Sequence, residues 1–131
     1  MIKRIILAVL AVFVARTVMD FVIHGLILAQ TYKDTAQLWR PMEQMKMGLM
    51  HAVILITAAV FVCLYAFFVG KKSVAAAVKF GLLFGLGTGI SMGYGTYAVQ
   101  PIPYKIAITW FLGTVAETTV AGLLTGLIVK E

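Results

Sequence analysis

Four apolar runs, each long enough to cross a bilayer, leave this chain few folds to choose from. A membrane-spanning helix needs about 20 mostly apolar residues. Residues 5–29, 48–69, 74–99 and 106–129 meet that length, and 48–69 carries no acidic or basic residue other than a histidine. Backbone groups in hydrocarbon find no water, so each run must satisfy its hydrogen bonds internally, as a helix. The expectation is an all-α integral membrane protein: one domain over residues 1–131, four transmembrane helices in an antiparallel bundle, and no sheet. Composition agrees. The chain is 62% hydrophobic and 12% charged, about half the charge of an ordinary soluble domain.

The N-terminal stretch has the outline of a signal peptide, with Lys3 and Arg4 ahead of apolar residues 5–15. Phe13 and Ala15 make a poor small-x-small cleavage site, and the apolar run resumes after Arg16, so a retained first helix is expected. Residues 30–46 form the longest connection, in which Leu38, Met42 and Met45 fall at the spacing of a short surface helix. Gly70-Lys71-Lys72-Ser73 reads as a tight turn with Ser73 as helix N-cap. Pro101 and Pro103 end the third helix, because proline cannot continue it.

Basic residues near helix ends set orientation. Lys3, Arg4, Lys71, Lys72, Lys79 and Lys130 fall at one pole; Lys33, Arg40, Lys46 and Lys105 fall at the other. The bias places both termini in the cytoplasm. The formal charge of +6 therefore faces lipid headgroups. No basic cluster interleaves with aromatics, so nucleic-acid binding is excluded. Tyr32, Trp39, Tyr94, Tyr97, Tyr104 and Trp110 gather at the outer helix ends as an interfacial belt. The lone Cys63 reads as a packing residue.

Five polar residues sit inside the apolar runs: Arg16, Asp20, His24, His51 and Glu117. The first three are four residues apart, which stacks them on one helix face. With about 1.5 Å of rise per residue, Arg16 and Glu117 lie at similar depth near the midplane. Asp20, His24 and His51 share the outer half. Ionisable groups at such depth face protein, water or a partner. Three readings follow. The charges neutralise one another; or they form a relay for protons or cations; or Asp20, His24 and His51 ligate a metal. The Asp-x-x-x-His spacing and the run of Met42, Met45, Met47 and Met50 into His51 are the grounds for the third, since thioether and imidazole suit copper(I). Methionines at a membrane boundary are equally ordinary packing residues.

Gly81, Gly85, Gly89 and Gly93 recur every four residues on the third helix, and Gly122 and Gly126 repeat the pattern on the fourth. Such a strip lets two helices approach closely. Its partner is this chain, a second copy or another subunit. No phosphate loop, nucleophile elbow, His-Glu-x-x-His or Cys-x-x-Cys-His motif is present, so no enzymatic role and no cofactor are expected.

Several stretches carry a resemblance: Phe21-Val-Ile-His-Gly, Ala36-Gln-Leu-Trp-Arg-Pro, Phe80-Gly-Leu-Leu-Phe-Gly, Tyr97-Ala-Val-Gln-Pro-Ile-Pro and Trp110-Phe-Leu-Gly. Together they resemble a family of small four-helix bacterial inner-membrane proteins, a domain of unknown function. The resemblance implies four helices and the bacterial cytoplasmic membrane, and assigns no chemistry. Two functions are expected from the residues. The first is a non-catalytic structural or accessory subunit, partnered by the lipid bilayer and by other membrane subunits or a second copy. The second is a small transporter or channel for protons, cations or a metal ion, built on the five embedded polar residues.

Overall fold

The computed structural model describes residues 1–131. Four helices long and apolar enough to span a membrane account for most of the chain, and there is no strand. They are α1 (Ile2–Ile27), α3 (Met47–Phe68), α4 (Val74–Val99) and α5 (Tyr104–Ile128), with a short α2 (Ala29–Asp34) after the first span. The multi-pass membrane class follows directly. The observed ends differ from the expected ones by three residues or fewer.

Local chemistry accounts for the breaks. Ser73 caps α4, its hydroxyl accepting from the Ala76 N–H at 3.0 Å. Tyr65, fully buried at the end of α3, staples the same turn: its hydroxyl donates to the Ser73 carbonyl at 3.0 Å and accepts from the Ser73 N–H at 3.1 Å. Gln100 turns extended before Pro101, and Pro103 sets the start of α5. In the loop after α2, a surface helix does not form. Pro41 divides the segment, and only two single turns of 3-10 helix appear, Ala36–Leu38 and Met42–Gln44.

Two features were not expected from the sequence. α1 passes into π-helix at Phe21–Ile27 and α4 does so at Ile90–Gly95. The wider turn explains why Ile23 and Leu28, five residues apart, are both buried, with the Leu28 N–H bonded to the Ile23 carbonyl at 2.9 Å.

α1 lies between α3 and α5, and α4 packs along the length of α5. The glycine strip makes the second contact possible. Gly81, Gly85, Gly89 and Gly93 are all buried against α5. A Cβ at Gly81 would collide with the Thr118 carbonyl, and one at Gly85 would fall 2.9 Å from the Val115 Cα. From the other side, a Cβ at Gly122 would meet the Ala77 carbonyl, and one at Gly126 would lie 2.7 Å from the Ala77 Cβ. The partner of the strip is therefore internal. Gly113 of α5 plays the same part for α1, seating the Ile23 side chain.

The apolar interior forms two clusters. The one toward the chain termini joins Ala8, Val12, Ala58, Phe61, Val62, Tyr65, Ala77 and Ala121. Phe61 meets Phe80 and Phe84 at ring separations of 5.0 and 5.3 Å, which bridges α3 to α4. The other cluster joins Ile23, Leu28, Ile102, Ile106 and Ala107 beneath Tyr32, Trp39 and Trp110. These three aromatics fold inward in a T-shaped chain, with centroids 5.2 and 6.0 Å apart, and roof the outer core.

The glycine contacts generate a direct test. Gly81→Val is expected to separate α4 from α5 and cost about 1–3 kcal/mol, the usual range for overpacking. Gly87→Val, where an added Cβ meets nothing within 4 Å, is expected to change stability little. Thermal unfolding in detergent, followed by circular dichroism, compares the two. Equal melting temperatures for both variants would contradict the packing.

Candidate functional site

Between the two apolar clusters lies a layer of charge. Arg16 of α1 sits at its centre. Its Nε stands 3.5 Å from Glu117 Oε2 on α5 and 3.9 Å from Asp20 Oδ2 one turn along α1. One terminal nitrogen donates to Thr57 Oγ1 of α3 at 2.7 Å, and Thr57 in turn donates to the Ile54 carbonyl at 3.0 Å. One guanidinium thus ties three spans together. Glu117 is buried, with 8% of its surface exposed. Arg16 Nε and Glu117 Oε2 are buried without a hydrogen-bond partner and hold each other through charge alone.

The layer extends toward the pole away from the chain termini. His24 Nε2 faces Asp20 Oδ1 at 3.8 Å. Its Nδ1 lies 2.6 Å from the Tyr32 hydroxyl, which also accepts from Trp110 Nε1–H at 2.7 Å. An indole nitrogen can only donate. The Tyr32 hydroxyl can donate to a bare His24 Nδ1 or accept a second hydrogen bond from a protonated one. Trp39 Nε1 donates to Thr35 Oγ1 at 2.9 Å and fixes the roof above.

The structure brings together four of the five expected residues: Arg16, Asp20, His24 and Glu117. The fifth, His51, does not join them. It was expected beside Asp20 and His24 by depth, but every residue from 47 to 53 is exposed, so the outer part of α3 stands clear of the bundle. The weak metal set of Asp20, His24 and His51 is accordingly not assembled, and no three His, Cys, Asp or Glu side chains gather as a metal-binding group. Met42, Met45, Met47 and Met50 are likewise exposed.

Three partners were missed in the sequence: Thr57, Tyr32 and Trp110. Thr57 carries a signal, being the one serine or threonine in the apolar run 48–69. Tyr32 and Trp110 read as interfacial aromatics; the bend after α1 brings Tyr32 to the Trp110 indole of α5.

The layer is not sealed. In the single chain the side chains of Arg16, Asp20 and His24 keep 33%, 21% and 37% of their exposure. They border the groove left where α3 stands away. Two surface recesses lie elsewhere, one apolar around Cys63 and Phe68 and one polar around Lys72 and Lys130.

The fold and this embedded layer define a multi-pass α-helical membrane protein with a charged centre. Comparison of the chain with protein-family models, with curated proteins and with solved structures finds no match.

Tyr32 lies outside the spans, and burial raises its phenol above the usual 10.0, the Trp110 hydrogen bond pulling it partly back. The folded state prefers the neutral phenol, so this contribution is complete below pH ~10 and is lost as pH rises through the raised value. Tyr32→Phe is expected to cost about 1 kcal/mol near neutrality and to flatten the alkaline loss of stability. Melting temperature against pH for the two proteins checks both signs.

Proposed function

We propose that the chain is a non-catalytic accessory or structural subunit of the bacterial cytoplasmic membrane, with both termini in the cytoplasm, that assembles with another membrane subunit or a second copy. One observation carries this reading. A charged layer at mid-membrane depth is left partly open in the single chain. Each charge facing hydrocarbon costs about 2.5–3.5 kcal/mol on insertion scales, so the groove beside α1 and α3 calls for a cover.

The contact surface under this reading is the groove, not the glycine strip, which α4 and α5 consume between them. The exposed outer part of α3 adds apolar surface beside the charges: Met47, Leu49, Met50 and Val53 are all exposed. The resemblance to small four-helix inner-membrane proteins supports the location. The excess of basic residues at the pole of both termini supports the orientation.

The test is purification from native membranes in mild detergent, followed by native mass spectrometry. The expected species is larger than the 14.2 kDa chain. Asp20→Asn or Arg16→Gln is expected to reduce the complex about tenfold or more, equivalent to about 1.4 kcal/mol, while the four spans stay helical. A monomer whose reconstituted vesicles lose ion flux on Asp20→Asn would replace this reading with transport of protons, cations or a metal ion.

A further inference from the structure

With a neutral His24 ring the charged layer does not balance. Arg16 brings one positive charge and Asp20 and Glu117 bring two negative charges, and the Tyr32 hydroxyl 2.6 Å from His24 Nδ1 suits such a ring as a donor. With both carboxyls ionised, the layer then carries one net negative charge between two apolar clusters. No other charge reaches it. The elements packed on α1 are α3 and α5. α3 offers Thr57, with His51 exposed nearer its start; α5 offers only Glu117, since Lys105 is exposed on the first turn of that helix. From the turn after α1 comes Tyr32, already paired.

We propose that this layer is a binding site for a single proton, shared by the Asp20 and Glu117 carboxyls across Arg16 and exchanged with water on the side of His24. The geometry favours a proton over a metal ion. Both carboxyls approach the same Arg16 Nε, so an ion lodged between them meets the guanidinium charge. Hard cations also take six or more oxygen ligands, and the layer supplies two carboxylates and a hydroxyl that Arg16 already holds. A proton adds one positive charge and needs no cavity. It also gives a hydrogen to a carboxyl oxygen beside Glu117 Oε2, which is buried without a donor. His24 is the most exposed of the set, faces Asp20 through Nε2 and stands nearest the end of α1, which makes it the member closest to water. The site is independent of whether another subunit covers the groove.

Infrared difference titration of the full chain in nanodiscs reads the proton directly, through the band of a protonated carboxyl. The expected result is one protonated carboxyl per chain at neutral pH, lost in Glu117→Gln and also in Asp20→Asn. Either substitution leaves one carboxylate facing Arg16, a balanced pair that needs no proton. A band that survives Asp20→Asn marks a lone buried acid and overturns the sharing; so does a wild-type chain with both carboxyls ionised. If Glu117→Gln fails to fold, Asp20→Asn alone decides. Nitrogen NMR of the His24 ring supplies the second readout. A neutral ring protonated on Nε2 at neutral pH supports the assignment, and an imidazolium overturns it.

Discussion

A guanidinium in hydrocarbon must be answered, and much of this structure is the answer to Arg16. Its three contacts lie on three different helices: Asp20 on its own, Thr57 on α3 and Glu117 on α5. Breaking a buried charge pair costs several kcal/mol because the remaining partner is stranded. The price is highest where water is scarcest, and so the register of α1 against α3 and α5 is set at this one level. The apolar clusters on either side then pack in the register the charges impose. The remaining span is the exception. α4 takes no part in the charged layer; it is held by Phe80 and Phe84 against Phe61 and by close backbone approach to α5, where glycines remove the side chains that would keep the two apart.

The fold was largely legible in the sequence, since length and hydropathy decide it. Spans of about 20 apolar residues allow only helices, and Ser73, Pro101 and Pro103 mark the turns by known local chemistry. The π-helical segments were not legible, because an extra residue per turn leaves no compositional mark. The loop helix failed for a visible reason: Pro41 interrupts the spacing that Leu38, Met42 and Met45 suggest.

The site was legible to the extent that depth determines contact. Arg16 and Glu117 meet because equal depth on packed helices leaves them little alternative. His51 has the right depth and still lies apart, since depth says nothing about whether a helix stays parallel to its neighbours. Hydrophobic pattern cannot report that in a membrane protein, where lipid-facing and core-facing residues are equally apolar. The same blindness hid Tyr32, whose role depends on the bend at Leu28 just after α1, which sets its hydroxyl against His24.

The Tyr65 staple at the foot of α3 has a mechanical meaning. Tyr65 is pinned to Ser73, and Phe61 is wedged against Phe80 and Phe84, while residues 47–53 touch little. α3 is therefore fastened from Ile54 to Tyr65, where Ile54, Ala58, Phe61 and Val62 are buried, and unsupported only over residues 47–53. At about 1.5 Å of rise per residue, that unsupported end spans roughly 10 Å. The bond from Arg16 to Thr57 is the first polar tie met along the helix from that end. Whatever seats on the tip is therefore felt first at the central charge.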